Sequence, residues 1–237
     1  MSVETGVPRD MLEAHPETAY FWGRVAGDGE CEDGCVTVRK NDETAARRLA
    51  AVADAERSDR RIVEREYAHD TSITRSEEEY TLQVVGDLSE RASAALGLPF
   101  DGEAGGYRFD TLTDYDRELL RGLVESCGTV CFKSDDGEAS DASRSSSGAS
   151  ASDGDAVGIS FVHEDERLLR AVQTLLDDIP VDAPYDALSE TSSGHWFGVD
   201  DDAVPELGDW LYESSENTGL FAPSRRRKLR KSIERVR

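Results

Sequence analysis

Asp28 closes the run Phe21-Trp22-Gly23-Arg24-Val25-Ala26-Gly27-Asp28-Gly29, and Cys127 closes an altered second copy, Leu120-Arg121-Gly122-Leu123-Val124-Glu125-Ser126-Cys127-Gly128. Each copy reads as the end of a helix, with a closing glycine suited to the left-handed position that stops one. A carboxylate there lies at the negative end of the helix dipole, where a cation is favoured. Two such ends side by side would hold metal, and Asp28 is the candidate ligand. Its counterpart Cys127 puts a thiol in place of that carboxylate. Glu125 does not replace it, because two residues back on a helix points about 160° away. Four cysteines flank the two copies: Cys31, Cys35, Cys127 and Cys131. Their spacing and register are asymmetric and not those of a zinc knuckle, so separate buried thiols are expected rather than a Zn²⁺ site. The four histidines, His15, His69, His163 and His195, form no motif.

The elements that must position these groups repeat as well. A glycine in mid-helix costs about 1 kcal/mol relative to alanine. Gly23 and Gly122 at equivalent places therefore predict two helices, over 18–28 and 112–126, whose backbones touch. After the first, residues 30–40 read as a bent strand pair turning at Glu32-Asp33-Gly34. A helix over 43–56 is capped by Asn41 or Asp42. A second strand pair is expected at 61–69 and 78–85, then a helix from Asp87 to Leu96 stopped by Gly97. After the second motif helix come strands at 129–133 and 157–163, a helix over 164–177 and short strands near 185–188 and 195–199. A helix over 202–212, with Pro205 in its first turn, closes the repeat. The same order occurring twice is stronger than either motif alone. The divisions are a lead-in 1–16, a first repeat 17–100, a linker 101–111, a second repeat 112–216 and a basic tail 217–237. Within the second repeat, 134–156 is a Ser, Asp, Gly and Ala-rich insertion expected to be disordered at a hairpin tip.

The paired motifs, each followed by strands and a helix, resemble the LAGLIDADG family of homing endonucleases and its DNA-binding relatives. The resemblance spans about residues 17–212. It implies an α/β (α+β) fold of duplicated αββαββα modules, with two antiparallel saddle-shaped sheets around a central pair of motif helices. It also implies a monomer with pseudo-twofold symmetry, double-stranded DNA as partner, and Mg²⁺ held by the last acid of each motif. Asp28 matches that acid and is on that ground the candidate catalytic and metal-binding residue. Cys127 offers a soft thiol where Mg²⁺ wants hard oxygen, so double-strand cleavage is expected to be lost and a DNA-binding or regulatory role retained. An active or nicking Mg²⁺-dependent endonuclease is the alternative. The run 1–30 is similar, more weakly, to haloarchaeal proteins labelled after the cobalamin-biosynthesis operon, which would imply an accessory role.

Charge sets the remaining expectations. The chain has 50 acids against 27 Lys and Arg, for a net −23, and only four of its residues are lysine. Such a surface fits a salt-saturated cytoplasm, where repulsion is screened within about 3 Å at molar salt. The charge is uneven: residues 36–75 carry +1, residues 134–217 carry −18, and residues 224–237 carry +7. The candidate DNA contacts are Arg39, Arg61, Arg65 and Arg75 on the first sheet, with Arg225, Arg226, Arg227, Lys228, Arg230 and Lys231 in the tail. The alternatives are arginines paired with neighbouring acids, a tail docked on the acidic second half, and a protein partner bound by that half. No apolar run is long enough to span a membrane and no signal pattern opens the chain, so a cytoplasmic, membrane-free protein is expected. Four cysteines in such a chain argue against a disulfide framework.

Overall fold

A computed structural model describes residues 8–55, 57–67, 70–133, 156–192 and 194–237. The two sequence copies become two repeats of one topology. The first comprises α1 (Pro16–Asp28), β1 (Gly29–Glu32), β2 (Cys35–Lys40), α2 (Glu43–Val52), β3 (Arg57–Tyr67), β4 (Asp70–Val85) and α3 (Leu88–Leu96). A 3-10 turn over Asp110–Tyr115 leads into the second: α4 (Asp116–Ser126), β5 (Gly128–Lys133), β6 (Ala156–His163), α5 (Glu166–Asp178), β7 (Ser189–Thr191), β8 (Gly194–Gly198) and α6 (Val204–Tyr212). A short α7 (Ser215–Thr218) and the basic α8 (Pro223–Val236) complete the chain. The sheets run β1-β2-β4-β3 and β5-β6-β8-β7, and every pairing is antiparallel. This is the α+β architecture that the duplicated motif predicts.

Helices α1 and α4 form the axis of the core. All of Thr18 to Gly27 is buried, as is all of Leu119 to Glu125, so both helices are enclosed on every side rather than along one stripe. They cross at the two mid-helix glycines. A Cβ on Gly23 would lie 2.3 Å from the Leu119 carbonyl oxygen, and one on Gly122 would lie 2.6 Å from that of Tyr20. Both contacts are with backbone, which cannot swing aside. The sheets bury Val36, Val38 and Leu82 on one side and Val157, Ile159, Phe161 and Phe197 on the other, with Phe161 and Phe197 stacked.

Boundaries depart from the sequence reading where backbone geometry intervenes. Helix α2 stops at Val52 instead of continuing to residue 56, because Asp54 takes a positive φ of 46°. Strand β3 starts at Arg57 rather than 61 and stops at Tyr67 rather than 69, and β4 starts at Asp70 rather than 78, since their interleaved charges hide the two-residue period. The strand expected at 185–188 is a single bridge from Tyr185 to Val199, with Tyr185 edge-on to Phe197, and β7 follows it. The insertion 134–155 and His69 lie outside the described residues. Among the described residues, no helix is long and apolar enough to cross a membrane.

Candidate functional site

The site forms where the C-terminal ends of α1 and α4 meet. Alternation along β2 buries Val36, Val38 and Lys40, which directs the lysine toward the helices while Arg39 stays on the opposite, exposed face. Lys40 Nζ forms an ion pair with Asp28 Oδ1, the lysine side chain being 4% exposed and the aspartate 35%. Burial and the neighbouring Arg24 guanidinium bring the Lys40 ammonium down to about 7 in spite of that carboxylate. Cys127 is buried, and its Sγ donates to the Leu123 carbonyl at 3.4 Å. Burial, reinforced by the Asp28 charge, pushes its thiol up to about 12. It is therefore a protonated, neutral group at neutral pH.

Next to this pair lies a fully enclosed carboxylate. Glu125 accepts from Tyr20 Oη at 2.6 Å, Arg24 Nη1 at 2.8 Å, Tyr212 Oη at 2.9 Å and the Ala222 amide at 2.9 Å. Arg24 and Glu125 are 4% and 0% exposed, so one buried ion pair joins the two motif helices. Desolvation raises both tyrosines well above the usual phenol range, the Glu125 charge adding to it. From the same helix, Arg121 donates to the carbonyls of Leu211 and Leu220. The segment entering the tail is thus stitched to α4 at several points.

Arg225, in the first turn of α8, donates to the Gly128 carbonyl at 3.3 Å. A guanidinium therefore stands just past the end of α4, as the Lys40 ammonium stands at the end of α1. Asp28, Lys40, Arg24, Arg39, Asp42 and Arg225 line a cleft of about 500 Å³.

The second repeat carries different groups at the matching places. Gly29 pairs with Val38 and Gly128 with Phe161, so two residues further on Lys40 and His163 correspond. Where the first repeat has carboxylate and ammonium, the second has thiol and imidazole. His163 Nδ1 accepts from the Asp165 amide at 3.0 Å.

These donors do not suit a divalent metal. One oxygen of Asp28 is engaged by an ammonium, and its counterpart is a protonated sulfur bonded elsewhere. Among the described residues, no group of three or more His, Cys, Asp and Glu side chains is placed to hold an ion. The four cysteines are free, Cys35 lying 3.6 Å from Thr37 Oγ1 and Cys131 3.7 Å from the Gly158 carbonyl.

The arginines of the first sheet are engaged by acids. Arg39 forms a two-pronged bond to Glu30, and Arg61 Nε donates to Glu79 at 2.7 Å. Arg65 and Arg75 face one another in the β3–β4 register, and their side chains lie outside the described residues. In the tail, Leu229, Ser232 and Ile233 are buried, with Leu229 and Ile233 packed over Gly208 of α6. Arg226 pairs with Glu216 and lies over the Phe221 ring, and Arg230 reaches Glu216 at 3.8 Å. Arg227, Lys228 and Lys231 are exposed.

Sequence reasoning passed over Lys40, Arg24 and the Glu125 junction. One signal was available: Lys40 is among only four lysines of the chain and occupies the apolar phase of an alternating strand.

Comparison with known proteins gives a family match over both repeats. The family model LAGLIDADG_4, described as "putative archaeal homing endonuclease", matches residues 1–141 and 148–237. No curated protein matches the chain. Among solved structures, the chain is similar to I-DmoI in complex with DNA and Mn, at 15% identity and a TM-score of 0.45, covering 86% of this chain and 96% of that one. Mesophilic variants of the homing endonuclease I-DmoI give 14% and 0.49, covering 85% and 97%. The N-terminal LAGLIDADG domain of DUF199/WhiA gives 11% and 0.46, covering 92% and 90%.

Proposed function

Because the chain belongs to the LAGLIDADG family of homing-endonuclease-like proteins, we propose that it binds duplex DNA and does not cut both strands. One observation carries the second half of this reading: Cys127, a buried and protonated thiol, stands where the second motif acid would be. Two-metal strand cleavage needs oxygen ligands on both sides of the duplex. At the two motif ends this chain offers one carboxylate, Asp28, already paired with Lys40. Binding without cleavage leaves a role in occupying or regulating a DNA site. Fluorescence anisotropy with labelled duplex over a KCl series reaching molar concentration should give saturable binding without added divalent metal. A supercoiled plasmid with Mg²⁺ or Mn²⁺ should not be linearised. Absence of duplex binding at every salt concentration would overturn the reading.

A nicking activity is the second reading, and one feature favours it. Asp28 is one-third exposed and opens, with Lys40, into the cleft between the motif ends. Conversion of supercoiled plasmid to open circles, dependent on Mn²⁺ and abolished in Asp28→Asn, would establish it.

A further inference from the structure

Across the first sheet, in the spatial order β1-β2-β4-β3, stand Glu30, Arg39, Glu79 and Arg61. Their charges alternate from edge to edge. The Arg39 guanidinium grips Glu30 with Nη1 at 2.8 Å and Nη2 at 3.0 Å, the fork geometry that arginine also gives to a phosphate. Arg61 sits directly opposite Glu79 in the strand register and donates to it at 2.7 Å. Arg39 and Arg61 are 43% and 62% exposed, so both are within reach of a ligand from solvent.

The acidic composition of the chain does not explain this row. The corresponding register positions in the second sheet are Thr129, Val162, Gly194 and Thr191, all uncharged. Yet the second sheet belongs to the half of the chain that carries −18 over residues 134–217. At these four places carboxylates and arginines therefore occur together in the first sheet, and both are missing from the matching places of the second.

We infer that Glu30 and Glu79 act as built-in phosphate mimics that mask Arg39 and Arg61, making the first sheet a phosphodiester-binding face whose affinity is held down by its own acids. This rests on the reading that the chain binds duplex DNA. A phosphate must displace a carboxylate from each guanidinium, so the charge gained at the arginine is offset by a glutamate released beside the backbone. The freed carboxylate then attracts a cation, and the usual release of counterions on binding is partly cancelled. Wild-type affinity should accordingly fall less steeply with salt than its count of arginines implies.

The test is anisotropy with labelled duplex over a KCl series, using the full chain, Glu30→Gln, Glu30→Gln with Glu79→Gln, and Glu30→Gln with Arg39→Gln. Glu30 is half exposed, so its glutamine variant keeps the fold, which thermal melting checks; Glu79 is nearly buried, so the single variant is decisive if the double one melts early. Expected are several-fold tighter binding by Glu30→Gln and a log–log salt slope steeper by about one for each arginine unmasked. Adding Arg39→Gln should remove the gain. Unchanged or weaker binding by Glu30→Gln beside a wild type that binds would overturn the mask and leave DNA binding standing. Binding by the variant alone would support the mask and count against the wild-type reading. Binding by neither would overturn both.

Discussion

The two repeats share strand order, register and a helix-crossing glycine, yet they divide the labour at their junction differently. The first supplies charge that reaches solvent, Asp28 at the helix end over a buried Lys40 and the half-exposed Glu30–Arg39 pair on its sheet, beside the buried Arg24 that crosses to the second repeat. The second supplies buried charge: Glu125 and Arg121, both at 0% exposure, face inward and hold the tail. A carboxylate has not simply vanished from the second motif. The acid it retains, Glu125, lies two residues earlier and is fully committed to structure. Identical topology thus constrains the glycines and the strand pairings, while the polar residues on that frame are free to diverge.

The comparison breaks most sharply at Glu125. Removing one member of a buried ion pair leaves an uncompensated charge, which costs about 3–5 kcal/mol. Glu125→Ala would strand the Arg24 guanidinium, two tyrosine hydroxyls and the Ala222 amide together. Urea unfolding in KCl should show a loss at the upper end of that range. Asp28→Ala, at the matching side of the junction but partly solvated, should cost far less. Equal losses would mean that the repeats are not divided as described.

The shared frame is tested at the crossing glycines. A side chain forced into a close-packed site costs about 1–3 kcal/mol, sometimes more. Gly122→Ala would drive a methyl to 2.6 Å from the Tyr20 carbonyl, and Gly23→Ala to 2.3 Å from that of Leu119. Both variants should lose about 3 kcal/mol or more by the same unfolding assay, since the cost lies in moving two helices apart. A neutral outcome at either position would show that the helices can part without penalty.

How legible this was in the sequence follows from which residues obey a period. The two motif helices, the Gly34 turn, the stop at Gly97 and the strand–strand–helix order could be read because glycines and apolar spacing mark them. Gly29 and Gly128, however, do not take the left-handed conformation expected of them: each opens a strand, Gly29 at an extended φ of −99°, and is needed because a Cβ there would strike Val25 or Val124. The length of β3 and β4 could not, because Arg60, Arg61, Glu64, Arg65 and Glu66 present charge on consecutive positions and mask the alternation. Lys40 and Glu125 were hidden for a related reason. A buried charge is visible only through its partner, and Asp28–Lys40 is set by a hairpin turn while Glu125–Arg24 spans about a hundred residues of chain. The basic tail could be seen as basic and its docking on the acidic second half stood as an alternative, but its anchors could not be picked out, because Leu229 and Ile233 are apolar residues among eight positive ones.

Restoring the missing acid sharpens the contrast at smaller cost. Cys127→Asp places a second carboxyl group near Asp28 in a buried setting, where burial and the like charge keep it protonated, and an unpaired neutral polar group there costs about 1–3 kcal/mol. The substitution should destabilise modestly without restoring plasmid linearisation in Mg²⁺ or Mn²⁺, because Lys40 still engages Asp28 and the position matching Lys40 holds His163. Linearisation by this variant would show that the second half-site lacked nothing except the acid.

The smallest effect is a slope in alkaline solution, and its sign follows from the thiols. Cys127 and Cys31 are both pushed up to about 12 by burial, against an ordinary value of 9. Above pH 9 the unfolded chain releases these protons while the folded chain keeps them. The unfolded state then binds fewer protons, so stability falls as pH rises toward 12. Cys127→Ala should flatten part of that fall in urea midpoints measured between pH 8 and pH 10, and Cys31→Ala, at the buried thiol of the first repeat, should flatten it as well. If Cys127→Ala left the curve unchanged, the thiol kept neutral at the junction would not be Cys127, and the reading of the second half-site as a closed, uncharged position would fail.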